Sequence, residues 1–341
     1  MKKTVFRAVS LLLLLSLCLS LFAGCSPRKA TVFTVNGEDV QYDDVMIHMF
    51  FQKYNLFSSQ LSNGTMTIDG LYELDADILA TKLSDDLTMA DYLLLSSTNS
   101  ALSAELCRQL AKENKLKITS DDKKSLDESR SSFISSLGGA KAFNTFIDKT
   151  GATDDAYTRY MENYLYMAKL LALFSDGGKY ALTDEEKAQA DADYAEKYIT
   201  TRHMIFYTIN TSTQTTLSEA EIEKQRERAE EALARLKNGE SFDTVRKDSD
   251  NPSENPLTFT TDEMVAEYEE AAFALQVGDY SDIVESKYGF HIIIREELSS
   301  AKRSDYYQTV IQAKFQDYLN EYSEAAKVVI KDKNYDKLAA R

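Results

Sequence analysis

Cysteine is scarce. Only Cys18, Cys25 and Cys107 occur in 341 residues, too few for a disulfide framework, and none stands in a CxxC or Cys/His spacing. Neither a stapled scaffold nor a structural zinc site is indicated, and no metal or other cofactor is expected. Positive charge is also short: 39 Lys and Arg face 55 Asp and Glu, a net charge of −16. Attraction to a polyanion would need a local patch acting against an adverse overall field, so nucleic acid is not an expected partner. There are no internal repeats or low-complexity tracts, and histidines number three. What is present, 43% apolar residues and 28% charged ones, places the chain in the globular class, and its length fits roughly two domains.

Lys2, Lys3 and Arg7 precede an uncharged run from Ala8 to Ala23 with the core LLLLLSLCLSLF. A basic region ahead of an apolar one is the secretory pattern, and the run is shorter than the ~20 residues that span a hydrocarbon core comfortably. It ends at Ala23-Gly24-Cys25, which resembles a bacterial lipobox, with Phe22 where Leu is commoner. The resemblance implies a lipoprotein signal peptide over residues 1–24, lipidation of Cys25, and a tether over residues 25–29. Two or more acyl chains, at ~0.8 kcal/mol per buried CH₂, would hold the protein stably on a membrane. The expected location is the outer face of the cytoplasmic membrane.

Phe33-Thr34-Val35 reads as a short strand closed by an Asn36-Gly37 turn, and helical spacing follows from Tyr42 to Gln60. Residues 61–80 read as polar loop or short helices. Helices are expected from about Asp85 to Asn114, from Ser120 to the Gly138-Gly139 stop, over 140–149, and from Thr153 to Phe174. Thr183 to Glu186 is a capping box opening a helix to about Tyr198, where the period changes: Ile199 to Ile209 reads as a strand. Ser218 to Glu221 is a second box, and short elements then alternate up to the strand His291–Arg295. After Ser300 helical spacing returns, followed by β-prone Val328 to Ile330. Val32 to Val35 otherwise lacks a β-prone partner, and unpaired backbone groups are costly, so these two short segments are expected to meet.

Two of the histidines bracket the second domain, in Arg202-His203-Met204 and Phe290-His291-Ile292. Between and around them run RHMIF, LKNGESFDTV, TFTTDEMVAEYEEAAFAL, VGDYSDIV and SKYGFHIII, in an order that resembles the parvulin-type peptidyl-prolyl isomerases over residues 198–298. The segment VFTVNGEDVQYDDV and the lipobox extend the likeness to PrsA-type foldase lipoproteins, which share a layout with the SurA family of extracytoplasmic chaperones. The resemblance implies an α+β fold. A mostly helical chaperone domain, residues 30–195 plus 300–341, would carry an inserted parvulin domain with a four-stranded antiparallel sheet and surrounding helices.

Site roles follow from the same resemblance. His203 and His291 match the family's two histidines, and Asp250 is the preferred third polar member. Met264 matches the proline-pocket methionine, Tyr268 stands where Phe is usual, and Leu257, Phe259 and Ser286 complete the expected groove. Met264 and Tyr268, four apart, would stack on one helical face. Where many parvulins carry Gly-Gly-Asp-Leu-Gly, this chain reads Ser253 to Thr258, so a displaced groove wall and modest activity are expected.

The implied function is that of an extracytoplasmic foldase, isomerising X-Pro bonds in exported, unfolded or partly folded proteins and chaperoning them. The alternative is a holdase lipoprotein with a weak or inert parvulin domain; a homodimer is left open. A Ser/His/Asp hydrolase lacks any GxSxG elbow. The stretch from Met204 to Glu223 has no basic residue, so unphosphorylated X-Pro peptides are the expected substrates.

Overall fold

The structure is a computed structural model and describes residues 28–252 and 255–339. The signal peptide, Cys25 and the start of the tether lie outside the described residues, as do Ser253 and Glu254. The chain divides into two compact units, one comprising residues up to 181 together with those from 314 onward, the other residues 182–313. The expected junctions lay at 195/198 and 298/300; the second unit as it stands also takes in the helix Asp184–Lys197 and the first half of the helix Ser300–Ala325.

The first unit is mostly helical. Its small sheet has the order β2-β1-β9, built from β1 (Thr31–Val35), β2 (Glu38–Gln41) and β9 (Val328–Ile330). Asn36 and Gly37 both have positive φ, the conformation that a tight hairpin turn requires, and they let β2 fold straight back onto β1. The first strand therefore has a local partner as well as the distant one. On its other side Phe33, Thr34 and Val35 pair antiparallel with Ile330, Val329 and Val328.

The long helices begin at side-chain caps. Thr88 with Asp91 opens Met89–Glu113, and Thr119 with Asp122, one residue earlier than expected, opens Ser120–Ser136. In each case a hydroxyl satisfies an orphan amide while the carboxylate returns to the cap's own N–H. A short hairpin, β3 (Lys82–Ser84) with β4 (Leu87–Thr88), occupies the stretch where helical spacing suggested the start of the long helix. Asp85 and Asp86 favour a turn over a helical first turn. The helices Tyr42–Leu56, Met89–Glu113, Ala140–Thr150 and Asp154–Ala172 bury a ring-rich core containing Phe50, Phe143, Phe146 and Tyr157. Arg28 and Lys29, read as tether, are held on this unit: Arg28 pairs with Asp148 at 3.2 Å, and Lys29 with Asp155 at 3.1 Å and with the buried Asp43 at 3.4 Å. Among the described residues no helix is long and apolar enough to cross a membrane.

The second unit carries a four-stranded antiparallel sheet of order β6-β5-β8-β7, from β5 (Ile199–Tyr207), β6 (Leu257–Phe259), β7 (Val284–Ser286) and β8 (Gly289–Glu296). β5 and β8 pair along eight residues, with Ile205 opposite His291 and His203 opposite Ile293. Alternation then separates the faces. Met204, Phe206, Phe290 and Ile292 point to one side and are sealed by Ala229, Ala232 and Leu236 of the helix Glu219–Lys237. That helix opens at the Ser218/Glu221 box. The other face carries Thr201, His203, Ile205, His291 and Ile293, and is where the site lies.

Candidate active site

Sequence alternation puts the two histidines on the same face, and the β5/β8 register places them diagonally across adjacent strands. Gly289 makes that register accessible: its φ is +151°, and a Cβ there would come 2.2 Å from the Phe206 carbonyl oxygen. Only glycine lets β8 start this close to β5. The imidazole centroids are 5.3 Å apart. Tyr268, on the helix Ala266–Ala274, presents its ring edge-on to both, at 5.3 Å from His203 and 5.4 Å from His291.

Each imidazole has its own hydroxyl partner. The Tyr268 hydroxyl lies 3.2 Å from His203 Nδ1 and 2.9 Å from Thr201 Oγ1, forming one buried chain across the sheet face. Ser286 Oγ lies 2.8 Å from His291 Nε2 and accepts the Tyr288 amide at 3.1 Å. Among the described residues His291 Nδ1 is buried with no hydrogen-bond partner. Burial, reinforced by the charge His203 would carry, pushes the pKa of His291 down to about 3, so it is a neutral imidazole at neutral pH. An unpaired ring lone pair costs less than an unpaired N–H, which favours the tautomer with the proton on Nε2, donated to Ser286.

The apolar part of the expected groove packs together beside these rings. Phe259 and Tyr268 are buried in one cluster with Ile293, and Leu257, Met264 and Phe273 pack against it half-buried. Met264, however, lies in the bend ahead of the helix, whose N-cap is Val265. Its nearness to Tyr268 thus comes from the turn, not from helical stacking.

Asp250 goes elsewhere. One carboxylate oxygen accepts the Tyr207 amide and the other accepts from Arg228, each at 2.8 Å, while its own amide donates to the Ile205 carbonyl. It is therefore not brought into the histidine pair. Its neighbour does what a missing strand would do: Asn251 Oδ1 accepts the Ile205 amide at 3.0 Å and its Nδ2 donates to the His203 carbonyl at 3.2 Å. Ahead of β6 in the chain, this segment continues the hydrogen bonding of the β5 edge mainly by side chains. Thr201, Asn251 and Arg228 had no place in the expected site. Thr201 was legible in principle, standing two residues before His203 and so on the same face; Asn251 and Arg228 carry no such signal.

Residues 203–297 match the rotamase family model, described as the PPIC-type PPIase domain. Among curated proteins, the foldase protein PrsA of Halalkalibacterium halodurans is 33% identical over 112 residues, 31% of this chain and 32% of the relative. That of Caldanaerobacter subterraneus is 28% identical over 211 residues, 61% of this chain and 58% of the relative. The match to the PrsA of Staphylococcus aureus is 23% identical and covers 76% of this chain and 79% of the relative. The chain thus spans between a third and three fifths of the length of the first two of these relatives. A solved PrsA structure from Lactococcus lactis aligns over 91% of this chain and 98% of its own at 14% identity, with a TM-score of 0.36. Residues 203–297 are thus a rotamase domain of the PPIC type, and the chain that carries it is similar to PrsA foldases.

Proposed function

We propose that this protein is an extracytoplasmic foldase that rotates X-Pro bonds in exported proteins. Lipid at Cys25 would hold it on the outer face of the cytoplasmic membrane. The observation that carries the reading is the histidine pair: two imidazoles 5.3 Å apart, sharing Tyr268 between them and bordered by an apolar cluster on one sheet face. Rotation about a prolyl amide faces ~18–20 kcal/mol because amide resonance is lost, and no bond to the substrate has to be made. A site suits the task if it binds the twisted amide better than either planar form. Leu257, Phe259 and Met264 supply apolar contact for the proline ring, and the neutral imidazole and hydroxyl dipoles supply a fixed polar lining. Asp250 acts on this reading only through the β5 edge.

A second reading, a holdase with a weak parvulin, is favoured by one feature: His203, His291 and Tyr268 are exposed by only 8%, 4% and 2%, so little of the polar cluster reaches a substrate in this conformation. A proline-peptide isomerisation assay on the chain from Ser26, run beside His203→Ala, separates the two. Catalysis lost in the variant supports the foldase; equal rates leave the holdase. Lipidation is tested by N-terminal mass spectrometry, and a Cys25→Ser protein that stayed membrane-bound and unprocessed would count against it.

A further inference from the structure

β9 is an edge strand of its sheet, and among the described residues no strand pairs with its outer side. Its inward hydrogen bonds alternate: the Asn36 amide donates to the Lys327 carbonyl at 2.9 Å and the Lys331 amide donates to the Val32 carbonyl at 2.8 Å, and Val329 lies opposite Thr34 between them. Residues 327, 329 and 331 therefore turn their backbone groups toward β1. By the antiparallel rule the N–H and C=O of Val328 and Ile330 point the opposite way, and among the described residues they meet no partner. The strand is also apolar where it is most open, with Val328 42% and Val329 41% exposed.

The surroundings select what could pair there. In a strongly acidic chain this strand is bracketed by exposed Lys327, Lys331 and Lys333, none of which holds an ion pair among the described residues. A second copy of the same strand fits badly. Antiparallel pairing centred on Val329 would set Lys327 of each copy against Lys331 of the other, and like charges directly opposite are destabilising. An acidic partner turns the same lysines into attraction.

We propose that β9 is a docking edge for an extended segment of another polypeptide, apolar in its middle and acidic at its ends, which adds a fourth strand to the β2-β1-β9 sheet. Main-chain bonds supply the affinity in such strand addition and flanking side chains the preference. With only two outward residues the affinity is low and sequence-tolerant, which suits transient contact with unfolded chains. The site lies in the helical unit and does not depend on the isomerase reading.

The test is fluorescence anisotropy of the full chain from Ser26 with a labelled peptide of alternating Val and Thr bracketed by glutamates, beside a lysine-bracketed twin and a version N-methylated at alternate amides. The glutamate peptide should bind roughly threefold to tenfold more tightly than its twin, the effect of two exposed charge pairs. Lys327→Glu combined with Lys331→Glu should reverse that order. Val328→Pro deletes one outward N–H and none that holds β1, and should weaken binding about fivefold; if it unfolds the chain, the charge reversal decides alone. Equal binding of the N-methylated peptide, or indifference to the charge reversal, overturns the proposal. So does self-association of the chain that competes with the probe. Because binding and not bond rotation is measured, loss of the isomerase reading would leave this result standing.

Discussion

Each unit gathers aromatic rings at about the same spacing and uses them differently. In the helical unit Phe50, Phe133, Phe143, Phe146 and Tyr157 meet mostly edge to face, with Phe50 and Phe146 at 4.9 Å and Phe133 stacked on Tyr157 at 5.5 Å. Rings packed this way are apolar filler whose worth is buried area plus a modest geometric gain. In the sheet unit the rings are His203, His291 and Tyr268, at 5.3 to 5.4 Å, but hydrogen bonds to Thr201 and Ser286 tie them in place. Packing alone can slide. A hydrogen-bonded ring has one orientation, and a buried polar atom that loses its partner is penalised.

The comparison breaks most visibly under deletion. Phe146→Ala should remove ring contacts from the fully buried filler and cost about 3–5 kcal/mol, read by urea unfolding followed by far-UV circular dichroism. In the sheet unit the large effect should be on rate: His203→Ala should lower prolyl isomerisation by roughly ten- to a hundredfold with the circular dichroism spectrum retained. An unchanged rate would reduce the polar cluster to filler as well.

Acid should expose a histidine in each unit. Burial beside Arg108 pushes His48 down to about 4, and burial pushes His291 to about 3. Both folded values lie below the unfolded value near 6.5, so the unfolded chain binds the extra protons. The stabilisation is complete above about pH 6.5 and is lost as pH falls toward 4 and then 3, with a slope approaching ~1.4 kcal/mol per pH unit for each histidine. Denaturant midpoints measured from pH 7 to pH 4 should show it, and His48→Gln and His291→Gln should each flatten the slope. The smallest effect sharpens the comparison most. Tyr268→Phe keeps the ring and removes the hydroxyl with its bonds to His203 and Thr201. We expect a loss of about 1 kcal/mol and a changed His203 tautomer signature in nitrogen-15 NMR; an unaltered signature would mean that packing alone orients His203.

Much of the site could be read from its spacing, because alternation along a strand is local: once Ile199–Tyr207 and Gly289–Glu296 are strands, His203 and His291 can share a face only if the register allows it. The register itself came from Gly289 and from the pairing, which no single segment encodes. Asp250 shows the limit. The resemblance pointed it to the histidines, but its place ahead of β6, with Arg228 within reach, made it a backbone acceptor and ion-pair partner.

By itself the sequence determined the capping boxes, the Asn36-Gly37 turn and the alternating strands, since each depends on chemistry within a few residues. It also carried the parvulin likeness through the order of its segments. The tertiary structure alone decided that Asn251 would complete the β5 edge, that Met264 would reach Tyr268 from a bend, and that β9 would stand at an edge of its sheet. In each case the deciding energy is a backbone or ring contact between residues remote in sequence or set by a turn's path, and such contacts exist only once the chain has closed on itself.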